Sequence, residues 1–95
     1  MTIKNLYYTG DGTFWITSNG KHKNPDFKYS HSDKVIEVFG DYWHTLEEVD
    51  KLKLMYLKEG YDCLIIWEHE MKIMSDEQLK QVILQFVSKT NANKS

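Results

Sequence analysis

Residues 34–67, KVIEVFGDYWHTLEEVDKLKLMYLKEGYDCLIIW, decide the fold. Lys34–Phe39 is a short run of β-branched and aromatic residues, apolar on both alternating faces except at Glu37, and Gly40 ends it. Beyond it the period lengthens: Leu46, Val49, Leu52 and Tyr56 fall on one helical face, and Gly60 stands where a left-handed residue would close that helix. Residues 62–67 are apolar from Cys63 onward, as befits a strand buried on both faces. Strand, helix and strand in that order predict a β-α-β unit with parallel strands.

Upstream, aromatic and β-branched runs at residues 3–9 and 13–18 flank Gly10-Asp11-Gly12, a spacing that predicts a β-hairpin, and Asn19-Gly20 predicts a second turn. Phe27–Tyr29 predicts a strand joined to Lys34–Phe39 by the polar loop Ser30-His31-Ser32-Asp33. The upstream half reads as a β-meander. Downstream, Ser75 and Gln78 have capping-box spacing, and Leu79, Val82, Ile83, Phe86 and Val87 recur at the spacing of a helix packed on a core. The expected class is α/β: a β-meander leading into a β-α-β-α unit. One domain over residues 1–90 and a polar, frayed tail over 91–95 are expected, with no internal repeat or linker.

Composition bounds the function. The chain has 95 residues, 41% hydrophobic and 14% aromatic, with one proline, which is enough to build a small core. No stretch is long and apolar enough for a membrane span, and the amino terminus shows no signal peptide, so the cytoplasm is the expected location and no membrane partner is expected. Cys63 is the single cysteine, which excludes an internal disulfide and a cysteine-based zinc cluster and reads as a buried thiol. The net charge is −2, against a general nucleic-acid binder. Acids outnumber lysines between residues 35 and 70, and lysines outnumber acids on either side. Arginine is absent, so lysine would have to supply every phosphate contact and bidentate guanine reading is excluded.

Asp26 behind Pro25, Glu37 within an apolar strand and His44 just past it make a cluster of two acids and an imidazole. Such a set suits a divalent-metal phosphodiesterase, in which carboxylates hold the ion and a histidine moves a proton. A carboxylate inside an apolar strand is costly unless a cation or hydrogen bonds satisfy it.

These residues resemble a known family. Asn24-Pro25-Asp26-Phe27, the run Val35–His44, and Gly60-Tyr61 leading into Leu64-Ile65-Ile66-Trp67-Glu68 are similar to the very-short-patch-repair endonucleases, and more so to the catalytic domains of phage and intron homing endonucleases, within the PD-(D/E)XK superfamily. The resemblance covers about Thr13 to Glu70. It implies a restriction-endonuclease-like mixed sheet flanked by helices, and Mg²⁺-dependent cutting of double-stranded DNA with Mn²⁺ as a substitute. Asp26 matches the metal-binding aspartate, Glu37 the acid of the E-x-K element, and Val38 would lend a backbone carbonyl. Phe39 stands where the lysine would be; the repair branch uses histidine instead, and His44 matches the residue that assists proton transfer. Asp50 matches a further aspartate, and Tyr42 and Trp43 match aromatics wedged into the base stack. Lys21, Lys23 and Lys28, with Lys34, would grip the backbone. The repair enzymes' zinc cysteines are absent, Asp41 standing where one would be, and no helix with a glutamate precedes the first strand. The homing or phage-type branch is the nearer likeness, and a phage origin would place the chain in the host cytoplasm.

Each residue also has a plain structural reading. In that reading Asp26 serves a turn only, Glu37 an ion pair on an edge strand, His44 a helix cap, Tyr42 and Trp43 the core, and Asp50 a solvated helix face. His22 and His31 read as surface residues, and Glu68, His69 and Glu70 as polar residues at a strand end. The expectations are therefore a DNA endonuclease, a DNA-binding or assembly module that has lost activity, or a nuclease selective for branched DNA. Pairing of two copies, or a fused or separate DNA-recognition domain, would complete any of them.

Overall fold

The β-branched run at 34–39 becomes the strand on which the chain is organised. A computed structural model describes residues 2–40 and 46–89. In chain order the elements are β1 (Leu6–Tyr8), β2 (Ile16–Ser18), β3 (Lys21–Lys23), β4 (Phe27–Tyr29), β5 (Lys34–Phe39), α1 (Leu46–Lys58), β6 (Asp62–Trp67), α2 (Glu68–Ile73) and α3 (Asp76–Ser88). The main sheet runs β1-β4-β5-β6, with β4 antiparallel to both neighbours and β5 parallel to β6, and β2-β3 form a separate hairpin. The fold is mixed α/β.

Parallel pairing of β5 with β6 requires a crossover, and α1 supplies it. Its end is closed as the glycine suggests: Gly60 has φ +93°, its N–H donates to Leu57 O at 3.0 Å, and Tyr61 N–H donates to Tyr56 O at 2.8 Å. α3 begins on the expected box, Gln78 N–H donating to Ser75 Oγ and Ser75 N–H to Gln78 Oε1.

Alternation along β5 divides the interior into two cores. Ile36 packs with Ile66, Ile3 and Ile83 of α3, with Met71 of α2 against them. Val35 faces the other way, onto Cys63, Ile16 and Tyr56, with Phe14, Leu52 and Tyr61 around them. Val35 and Ile36 are 0% and 2% exposed, so β5 is covered from both sides. No helix among the described residues is long and apolar enough to cross a membrane.

Two local expectations differ from the structure. Residues 3–9 do not pair with 13–18; β1 pairs with β4, Leu6 opposite Tyr29 and Tyr8 opposite Phe27. Asp11 turns the chain away, accepting from Thr13 N–H and Oγ1, while Trp15 Nε1 donates to Gly12 O. The actual hairpin is β2-β3 across Asn19-Gly20, whose φ values of +52° and +77° are those of a tight primed turn. It carries Ile16 into the second core. α2 was not anticipated, because it buries no side chain and so leaves no apolar period to read.

The two-sided burial of β5 gives a stability prediction. Ile36→Ala is expected to lower the unfolding free energy by about 2–5 kcal/mol in urea titration, whereas Leu54→Ala, at an exposed position of α1, changes it by less than about 0.5 kcal/mol.

Candidate functional site

The register of β4 on β5 sets Phe27 opposite Ile36, so one step further places Asp26 opposite Glu37 on the face shared with Val35. Thr9 holds Asp26 at that point: Thr9 N–H donates to Asp26 O at 2.8 Å, and Thr9 Oγ1 donates to Pro25 O at 2.8 Å. Asp26 N–H then donates to Glu37 Oε1 at 3.2 Å, and Val38 N–H donates to Asp26 Oδ2 at 2.8 Å. The two carboxylates, far apart in sequence, are thus cross-strand neighbours.

Glu37 is 3% exposed and has further partners on Oε2. Tyr56 Oη, from α1, donates to it at 2.8 Å, and Lys23 Nζ, from β3, lies 3.3 Å away. Burial holds the Glu37 carboxyl above its ordinary range; Lys23 and the Tyr56 hydrogen bond pull it back, and the nearby Asp26 charge pushes it up again. Burial, and then the charge of Glu37, push the Tyr56 phenol far above its usual range, so it stays a donor. Cys63 lies across the same core, its thiol pushed up to about 12 by burial first and by Glu37 second. It is not a nucleophile near neutral pH.

Asp26 and Glu37 are therefore brought together, and Val38 joins them through its backbone. Its N–H points toward β4, so its carbonyl leaves on the same edge of the strand. Lys23 sits on Glu37. Lys21 is exposed at the tip of the β2-β3 hairpin. Lys28 braces the β4-β5 turn: Nζ donates to Tyr29 O at 2.5 Å and Ser32 O at 2.7 Å and lies over the Phe14 and Tyr61 rings, and burial lowers its pKa against the opposing pull of Asp33. Asp50 is exposed on α1. Asp41, Tyr42, Trp43 and His44 lie outside the described residues. His22 and His31 are surface residues with local partners, Thr17 Oγ1 and Asn5 Nδ2.

The sequence did not identify Tyr56 or Lys23 as partners of Glu37. Tyr56 was legible only as a core residue. Its hydroxyl and its place on the apolar face of α1 are the signal that a buried carboxylate nearby would need a donor.

Oxygen donors of this kind suit a hard cation such as Mg²⁺, which binds through one or two carboxylates and keeps several waters. Among the described residues no third His, Cys, Asp or Glu joins the pair in a group that could hold a metal. The Lys23 ammonium stands in as the cation on Glu37, and it is the partner with an exposed side chain, at 41%. An ion held by Glu37, Asp26 and the Val38 carbonyl would take the place of Lys23. Comparison with protein-family models, characterised proteins and solved structures gives no match.

Two measurements check the electrostatics. Because Glu37 titrates higher in the folded chain than in the unfolded one, its contribution to stability is complete below the ordinary glutamate pKa and is lost as pH rises through the raised value. The stability of the wild type minus that of Glu37→Gln should therefore fall as urea titrations move upward from about pH 4; a flat difference would contradict the assignment. Separately, Cys63 should react with a thiol reagent at pH 8 roughly a hundredfold or more slowly in the folded chain than in urea.

Proposed function

We propose that this chain is a Mg²⁺-dependent DNA endonuclease domain of the homing or phage type. The observation that carries the reading is the cross-strand placement of Asp26 and Glu37, joined by the Asp26 N–H to Glu37 hydrogen bond and by Asp26 Oδ2 on Val38 N–H. Two carboxylates meeting on one face beside a backbone carbonyl are what such a site needs from the protein.

In this reading Asp26, Glu37 and the Val38 carbonyl hold the ion, with Mn²⁺ able to replace it. Bound there, such an ion would supply Lewis-acid polarisation of a phosphate and activation of water. Tyr56 fixes the direction of Glu37 through Oε2. Lys23, released from Glu37, turns its ammonium toward the phosphodiester, where it offsets developing charge. His44 carries the proton to the leaving oxygen, and Tyr42 and Trp43 meet the bases. Lys21, at the hairpin tip, contacts the DNA backbone. Two copies, or a separate recognition domain, supply the second strand cut and the sequence specificity.

One observation favours a second reading, a DNA-binding or assembly module without cleavage. Glu37 is already satisfied by Tyr56, Lys23 and the Asp26 N–H, and its burial disfavours the charged form. The same contacts would serve as a structural network.

Nicking of supercoiled plasmid separates the two. The wild type is expected to nick in Mg²⁺ or Mn²⁺ but not in chelator; Asp26→Asn should abolish nicking, and His44→Ala should slow it about a hundredfold or more. DNA binding without cutting in either metal selects the module, and a strong preference for branched over linear duplex makes the nuclease structure-selective.

A further inference from the structure

β6 is the last strand of the main sheet, and among the described residues no strand pairs with its outer side. Asp62 N–H donates to Asp33 O at 2.9 Å, toward β5, so alternation along the strand turns the main-chain groups of Cys63, Ile65 and Trp67 outward. α2 closes one end of that edge, because Glu70 Oε1 accepts the Trp67 N–H at 3.3 Å. Among the described residues nothing pairs with the main-chain groups of Cys63 and Ile65.

A cleft of about 480 Å³ lies along this open part, lined by Lys34, Lys53, Asp62, Cys63, Phe86 and Lys89. Lys53 comes from α1 on one face of the sheet, and Phe86 and Lys89 from the end of α3 on the other, so the cleft straddles the strand edge. At its floor Lys34 is 1% exposed and pairs with Asp62 at 3.4 Å, and each cancels the other's charge. Lys53 and Lys89 are exposed and in no ion pair among the described residues, which makes the cleft locally positive in a chain of net charge −2.

We propose that this edge is a docking slot for an extended acidic segment of a partner protein, which adds to the sheet beside β6. Main-chain hydrogen bonds to Cys63 and Ile65 would hold the added strand. Successive side chains of a strand point to opposite faces, so neighbouring acids on it reach Lys53 on one side and Lys89 on the other. A second copy of the same edge is disfavoured, because it would bring lysine against lysine. The proposal is independent of the nuclease reading.

The test uses a short fluorescein-labelled peptide of repeating Val-Glu-Glu, in which adjacent glutamates fall on opposite faces of the added strand, followed by anisotropy. Binding is expected at low salt, weaker at high salt, and weaker by about tenfold or more in the doubly charge-reversed K53E/K89E, with K53Q/K89Q between. Both lysines are exposed, and circular dichroism should confirm that the variants fold. Amide exchange supplies the geometric readout. Peptide should slow the N–H groups of Cys63 and Ile65, while Leu64 and Ile66, which face β5, are unchanged. Equal binding of the same peptide with lysine in place of glutamate, indifference to K53E/K89E, or unchanged exchange at Cys63 and Ile65 would overturn the proposal. So would displacement of the peptide by duplex DNA with the same dependence on the two lysines, which would make the cleft a nucleic-acid contact.

Discussion

Glu37 puts a carboxylate on a strand covered from both sides, and the elements around that strand are tied together by the need to satisfy it. Its partners come from three places: Asp26 leading into β4, Tyr56 on α1 and Lys23 on β3. Removing a charge from water costs several kcal/mol unless its partners are well placed. Here burial outweighs them, since the carboxyl stays above its ordinary range despite a cation and a phenol. A valine at this position would pack between Val35 and Phe39 with no such cost. An acid where the local rule calls for an apolar residue is the departure that supports the proposed reading, although a structural network of the same contacts would show it too.

The parts of the fold that were legible in the sequence share one property: their pattern is dictated by burial. β5 and β6 are apolar on both faces because both faces are covered, and α1 and α3 carry apolar stripes because each covers one. Strand pairing among the short segments was not legible in that way. Runs of three residues, such as Leu6–Tyr8 and Ile16–Ser18, fit several partners equally well, and the choice was made by Asp11 turning the chain and by the positive φ angles at Asn19 and Gly20. β3, Lys21–Lys23, has no apolar residue to betray it. It is a strand because the turn before it and β2 beside it leave its backbone no better partner.

The same distinction runs through the candidate site. That Asp26 and Glu37 share a face follows from the antiparallel register, which the loop at residues 30–33 sets, so their proximity was readable once the two strands were paired. Lys23 was readable only as a cation. Nothing in its neighbourhood in sequence links it to Glu37, because the hairpin that delivers it was expected to pair differently. Lys28 shows the converse: a lysine beside the key aspartate in sequence whose ammonium is spent on the carbonyls of Tyr29 and Ser32. Proximity in the chain was a poor guide to electrostatic partnership, and element pairing was the better one.

Charge is distributed along β5 and β6 with a polarity that composition hides. Toward the amino ends Lys34 faces Asp62, and the cleft beyond them carries Lys53 and Lys89; toward the carboxyl ends lie Asp26, Glu37 and, beside Gly40, the carboxylate of Glu68. Lys34 and Glu37 stand three residues apart on one strand, roughly 10 Å at the usual rise. Their side chains point to opposite faces, Lys34 toward Phe86 of α3 and Glu37 toward Tyr56 of α1. A ligand at the cleft would therefore meet both α1 and α3, and an ion at the carboxylates α1 alone, while both rest on β5. Because β5 is packed tightly on both sides, a shift of its register by even one residue would exchange those faces and break both arrangements at once. The two-sided burial that makes β5 the organising strand is thus also what keeps the acidic pair and the lysine-lined edge at fixed places on one rigid element.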